Sequence, residues 1–197
     1  MKSLLKYLPI VLLIMFCGCS GSSEIGSEKT VDKSGSTPNW INIPTSDNGE
    51  FVFVTGELTK GTDRSFGMNQ AYADGVRKLM NTMQNAVKTQ SSLALRGANM
   101  DEGDVGRFSE FAVAWISDTY RIAAVQNPES YWEKIEVKTL SGVTYNYNCY
   151  SLLKISKKDY NKALEGAYLD MKKKAQEENN KKAEETSNKL IDELKSK

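Results

Sequence analysis

The chain has 197 residues, 26 basic against 25 acidic side chains, three cysteines and no histidine. That length points to one domain with room for a leader and a tail, and a charge of +1 supplies no field for holding nucleic acid. Zero histidines exclude every histidine-based triad, the usual general acid–base near neutral pH and the commonest zinc sites, while 40% hydrophobic residues suffice for a packed core.

Lys2 and Lys6 precede an apolar run from Leu8 to Phe16, and the chain then turns small at Gly18-Cys19-Ser20-Gly21. A basic start, a short apolar stretch and a small-residue cleavage zone are the layout of a secretory signal. The run falls well short of the ~20 residues that cross a bilayer as a helix, and Pro9 interrupts it. Residues 1–18 therefore read as a leader outside the fold. Gly18-Cys19-Ser20 resembles the bacterial lipoprotein cleavage box, in which the cysteine becomes the first mature residue and carries acyl chains. Several chains anchor a protein stably where one binds only marginally, since each buried methylene contributes about 0.8 kcal/mol. Cys19 is the expected lipidation site, and Ser20 after it resembles lipoproteins sorted to the outer membrane. An ordinary signal cleaved within Cys19–Ser22 is the alternative; a cysteine standing in the cleavage zone favours lipidation. Bulky Phe16 makes Cys17 the poorer acceptor. Loss of Lys2 and Lys6 leaves 24 basic against 25 acidic residues in the mature chain.

Residues 19–37 are rich in Ser, Gly, Glu and Lys and bury too little to offset their ordering entropy, so a flexible tether is expected. The folded body is expected over 38–165, opening at Pro38-Asn39-Trp40-Ile41. Phe51–Thr55 is a β-rich run ended by Gly56. Ser65 is a candidate helix N-cap, and after it Met68, Ala71, Tyr72, Gly75, Val76, Leu79, Met83, Ala86, Val87 and Gln90 recur every three or four residues. They predict one long amphipathic helix. Arg96–Gly106 reads as a polar loop, 107–117 as a second helix and Tyr120–Val125 as extended. Trp132–Thr139 and Val143–Ile155 alternate around a short hairpin connection at Ser141-Gly142. Val143, Tyr145, Tyr147, Cys149, Leu153 and Ile155 form the apolar face of the second strand. The expected fold class is α+β: a small antiparallel sheet packed against the long helix, with a charged C-terminal helix.

From Lys157 onward, twenty of 41 residues are charged, and the apolar stripe of Tyr160, Leu164, Ala167, Tyr168, Met171 and Ala175 fails near Glu178. Sustained heptads are absent, so 166–197 reads as a charged, solvated helical tail rather than a partner-binding coiled coil.

Candidate chemistry is sparse. Gly56–Thr62 imitates a phosphate loop but lacks the lysine after its second glycine, and a strand-to-helix turn explains it. Asp101, Glu102 and Asp104 lack the ligand alternation of a calcium loop. Cys149 has no histidine to activate it and reads as a small buried hydrophobe. Trp132 and Tyr150 fall outside the presumed core alternation and are the candidate exposed contact aromatics for a sugar or peptide, with edge packing the competing account. No catalytic residue, cofactor or metal site is expected.

Pro38-x-Trp40-Ile41, Phe51-Val52-Phe53-Val54-x-Gly56, the helix carrying Ala71 and Ala73, and Gly142 leading into Tyr145 and Tyr147 together resemble a known family. It is that of the small bacterial outer-membrane lipoproteins of the twenty-kilodalton type, which includes flagellar basal-disk lipoproteins. The resemblance spans about Pro38 to Leu164 and implies an α+β domain, an envelope location and a scaffold-like or accessory role, with no catalytic residue to carry over. The expectation is therefore a non-enzymatic lipoprotein of the outer membrane, its domain on the periplasmic side. It is held to the membrane by lipid on Cys19 and partnered by an envelope protein or by copies of itself. A regulator of a cell-wall synthase and a peptidoglycan or carbohydrate binder are the alternatives.

Overall fold

The structure, a computed structural model, describes residues 24–118 and 124–196. Cys19, the leader and residues 120–123 of the expected extended segment lie outside these. The fold is α+β. Five antiparallel strands, β1 (Glu28–Lys33), β2 (Thr45–Asp47), β3 (Phe51–Gly61), β4 (Gln126–Thr139) and β5 (Gly142–Ser156), form one sheet of order β1-β4-β5-β3-β2. Four helices accompany it: α1 (Arg64–Gly97), α2 (Glu102–Asp118), α3 (Lys157–Glu177) and α4 (Lys181–Lys195).

Helix α1 sets the architecture. Asp63 rather than Ser65 caps it, its carboxylate accepting the Phe66 N–H at 2.7 Å. The same oxygen chemistry stands two residues earlier than expected. The buried positions are Gly67, Ala71, Gly75, Leu79, Met83, Val87, Ser91 and Leu95, every fourth residue without exception. With 3.6 residues per turn, a period of four drifts about 40° around the helix at each step, so no single flat surface can cover it. Small residues of the first half meet the sheet, and larger ones of the second half meet α2, α3 and α4. At about 50 Å, α1 is long enough to serve both layers.

The contact with the sheet is made backbone to backbone. A Cβ on Gly56 of β3 would lie 2.0 Å from the Ala71 carbonyl oxygen and 2.3 Å from the Gly75 nitrogen. A Cβ on Gly75 would meet the Leu153 side chain at 2.7 Å, and one on Gly67 would meet the Cys149 sulfur at the same distance. Val52 and Val54 of β3, with Leu153 and Ile155 of β5, fill the rest of this face. In the helical layer the Trp115 indole lies where a Cβ on Gly166 would be, joining α2 closely to α3.

Residues 34–44 run across the opposite face of the sheet, from edge strand β1 to edge strand β2. Thr55 Oγ1 lies 3.0 Å from the Trp40 carbonyl and 2.8 Å from that of Ile43. The Trp40 indole N–H donates to Glu129 at 2.7 Å, and Thr37 Oγ1 sits 3.0 Å from the Tyr131 hydroxyl. Tyr131, Leu152 and Thr55 are buried on this face.

Several expectations need correction. The expected tether over residues 19–37 contains β1, which is held by its backbone ladder to β4 although all six side chains are exposed. Residues 96–106 are no long loop: the break between helices is only 98–101, because Asn99 takes a left-handed φ of 55° and Asp101 accepts the Asp104 N–H at 3.0 Å. Helix α2 accordingly starts at Glu102. Strand β4 begins at Gln126, six residues ahead of the expected Trp132. Val143 and Tyr145 are exposed rather than core, for they project out beyond the N-terminal start of α1. The expected solvated tail is part of the core: Ala183, Leu190 and Ile191 of α4 are buried with α3 residues. Thr186 and Ser187 join them because each hydroxyl donates to the carbonyl four residues back at 2.7 Å, which makes it a satisfied small core residue.

Gly56→Ala is expected to lower stability by about 3 kcal/mol or more, since backbone cannot move aside as a side chain can. Gly106→Ala in α2, where a Cβ meets nothing within 4 Å, should instead stabilise by about 0.5–1 kcal/mol. Urea midpoints at unchanged slope measure both.

Candidate functional site

Trp132 and Tyr150 lie on neighbouring strands but on opposite faces. The register pairs Trp132 with Cys149 and Tyr131 with Tyr150, and paired residues share a face. Tyr150 therefore belongs to the face crossed by residues 34–44. Its ring lies 6.1 Å from that of Tyr131, at an interplanar angle of 31°. Tyr131 in turn donates to Glu133 at 2.8 Å. Burial pushes the Tyr150 hydroxyl above its ordinary range, and the neighbouring Glu133 and Glu57 charges add to the shift. Edge packing accounts for this residue.

Trp132 stands on the helix side, where β4 and β5 continue beyond the start of α1. Tyr147 meets it edge-on with centroids 6.2 Å apart, and the Arg64 guanidinium lies 5.0 Å from the ring centroid. One register step outward, the Lys134 ammonium lies 4.3 Å from the Tyr145 centroid. Trp132, Tyr147 and Tyr145 thus form an aromatic ladder held between two cations. Each exposed cation–π pair contributes about 0.5–1 kcal/mol, which orients the rings without closing the face. The arrangement suits contact with an extended or flat ligand and contains no nucleophile–base pair. Arg64 was the residue missed in the sequence, because its partner lies 68 positions away across a strand pairing.

A second cluster lies where β2 stops and leaves the edge of β3 unpaired. Asp74 accepts the Glu57 N–H at 3.1 Å and pairs with Lys78 at 2.9 Å and with Arg77. Lys78 also donates to the Thr55 carbonyl at 3.1 Å and to Glu57 at 3.3 Å. Burial works to raise the Asp74 pKa, but hydrogen bonds from Lys78, the Glu57 N–H and Arg77 outweigh it and hold the carboxyl below its usual range. These charges replace a missing strand, and their lone pairs and protons are engaged in doing so.

The third feature is a groove of about 580 Å³ at the opposite end of the sheet, lined by Lys157, Lys158, Lys162, Lys195, Asn161 and Glu165 among others. Lys157 is paired with Asp47, and Lys195 with Glu165 at 3.3 Å. Among the described residues no three Cys, Asp or Glu side chains come together as a metal site, and no helix is long and apolar enough to cross a membrane.

Comparison with protein-family models, with curated proteins and with solved structures finds no match to this chain. The site therefore stands on its own geometry.

The Asp74 arrangement has a pH signature. A carboxyl depressed in the folded state contributes stability above its unfolded pKa and loses it as pH falls through the folded value. Asp74→Asn should cost about 1–3 kcal/mol at pH 7 and show a shallower stability loss from about pH 4 downward than the parent. Urea denaturation at pH 7 and at about pH 3 measures the difference.

Proposed function

We propose that the chain is a non-enzymatic lipoprotein of the bacterial outer membrane with a scaffold, assembly or accessory role. Cys19 carries the lipid, and the α+β domain meets an envelope protein or further copies of itself. The observation that carries this reading is the succession of Lys2 and Lys6, the apolar run to Phe16, and Gly18-Cys19-Ser20. The family resemblance points the same way.

The fold adds a length to the proposal. Among the described residues the first bond into the sheet is the Gly26 N–H to the Lys138 carbonyl at 2.8 Å. Seven residue-to-residue steps lead from Cys19 to Gly26, which reach about 25 Å at most. A lipidated Cys19 therefore keeps the domain against its membrane. A second reading, carbohydrate binding, has the ladder of Trp132, Tyr147 and Tyr145 in its favour.

Intact mass of the membrane-extracted protein decides the anchor. The parent is expected to begin at Cys19 and carry acyl mass, and Cys19→Ala to lose that mass and leave the membrane fraction. An unchanged acylated mass in Cys19→Ala overturns the reading. For the second reading, Trp132→Ala should weaken co-sedimentation with isolated cell-wall sacculi at least tenfold, about 1.4 kcal/mol, while a urea transition of unchanged slope shows that the variant is still folded.

A further inference from the structure

The hairpin joining β4 to β5 turns on Leu140-Ser141, with Thr139 opposite Gly142. Thr139 Oγ1 donates to the Gly142 carbonyl at 2.9 Å, and Gly142 adopts a φ of 127°. The positive φ falls on Gly142 and not on Leu140 or Ser141, so backbone geometry leaves the residue types of this turn free. The turn carries Leu140, 89% exposed, followed on the same arm by half-exposed Val143 and Tyr145. Leu140 is the most exposed large hydrophobic residue in the described chain.

Ile25, 66% exposed, stands at the same end of the sheet. The Gly26 N–H bonds the Lys138 carbonyl, and the Lys138 N–H bonds the Ser27 carbonyl at 3.2 Å. These bonds bring the start of the described chain to within two residues of the hairpin turn. The opposite end, where β5 runs into α3 at Ser156, carries the lysine-lined groove and lies about 48 Å away at about 3.4 Å per strand residue. The molecule thus has one end with apolar side chains and the N-terminus, and another that is charged.

We propose that the apolar hairpin tip, Leu140 with Val143, Tyr145 and the neighbouring Ile25, seats in the headgroup–acyl boundary of the bilayer that holds the N-terminus. This rests on the lipid-anchor reading, and the occupant follows from where the chain leaves the sheet. A segment of at most about 25 Å between Cys19 and Gly26 brings this end, and not the lysine end, to the membrane. Tyr145 supplies the aromatic group suited to the interface. Lys29, Lys60, Lys134 and Lys138 at this end stand against Glu24, Glu28, Asp32 and Glu136, with Lys60 paired to Glu28 at 3.1 Å and Asp32 in register with Lys134, so no net charge accumulates here and the contact is carried by apolar side chains.

The test uses the lipidated full chain in vesicles of phosphatidylethanolamine and phosphatidylglycerol. A bimane probe is placed at Leu140→Cys or, as control, at Leu93→Cys, an exposed position on the far half of α1. Cys149 is fully buried, with its thiol pKa pushed up by that burial, and does not compete for the label. Lipids bearing a doxyl quencher should reduce emission from position 140 several-fold, leave position 93 unchanged, and do so equally in about 0.5 M NaCl. Leu140 buries nothing, so its replacement leaves the fold intact, checked by an unchanged thermal transition. A probe at 140 that stays unquenched on vesicle-bound, acylated protein overturns the tip proposal and leaves the anchor reading standing. A blue-shifted but unquenched probe marks a contact between copies and overturns it also. Protein that carries no acyl mass and fails to float with vesicles overturns both.

Discussion

The backbone contact between α1 and β3 is the constraint on which the other layers depend. Gly56 and Gly75 let helix and strand approach until no Cβ fits between them. That proximity decides where α1 starts, how it is angled over β5, and how much of it runs on past the sheet. Apolar area alone would allow many settings of a helix on a sheet, since burial is non-directional. A pair of facing glycines selects one of them, because only there is the missing side-chain volume matched on both sides. Gly67 over Cys149 and Gly166 over Trp115 repeat the device, so small residues, more than large ones, specify the packing.

From that setting the four-residue stripe of α1 follows. A helix lying wholly on a sheet would keep its buried residues on one side, mixing spacings of three and four. A helix whose second half must face three other helices turns its buried side as it goes, and a strict spacing of four does so. The turn-and-helix segment of α3 and α4 then closes the helical layer. Asn180 donates to Asp104 at 3.1 Å, Arg107 pairs with Glu178 at 3.0 Å, and Lys182 donates to the Asn99 carbonyl at 3.1 Å. Both interhelical breaks are thereby tied together, each with an asparagine in the left-handed region.

The sequence is legible where side-chain patterning and burial coincide. The long helix, the β4–β5 hairpin and the α+β class all follow from periods of 3.6 and 2. Strand β1 is invisible to such reading because backbone hydrogen bonds hold it and none of its side chains is buried. Helix α4 is missed for a different reason: Ser187 and Thr186 sit in the core as hydroxyls satisfied by their own helix, and polarity scales count them as surface. At the candidate site, alternation within each strand does not reveal that Trp132 pairs with buried Cys149 on the helix side while Tyr150 pairs with Tyr131 on the other. It misassigns the face of β4. The side bearing Ile135 and Val137 looks away from the helices, and Trp132 looks toward them at the first residue of α1, where Arg64 lies over its ring. Where α1 begins relative to the strands decides exposure, and that depends on the glycine contact, not on periodicity.

The direction of β1 has a mechanical meaning. Its N-terminal end, at Gly26, lies beside the hairpin turn, and the strand runs from there along β4 toward Ser34. A load applied at the N-terminus and directed away from the molecule pulls the strand lengthwise, so the bonds from Glu28 to Lys33 are strained together in shear rather than opened one after another. Past Lys33, the Ser34 N–H to the Trp132 carbonyl and the Trp132 N–H to Ser34 Oγ extend the same line of resistance. An exposed, charge-rich edge strand, unremarkable as a contributor to the core, is thus oriented to bear tension.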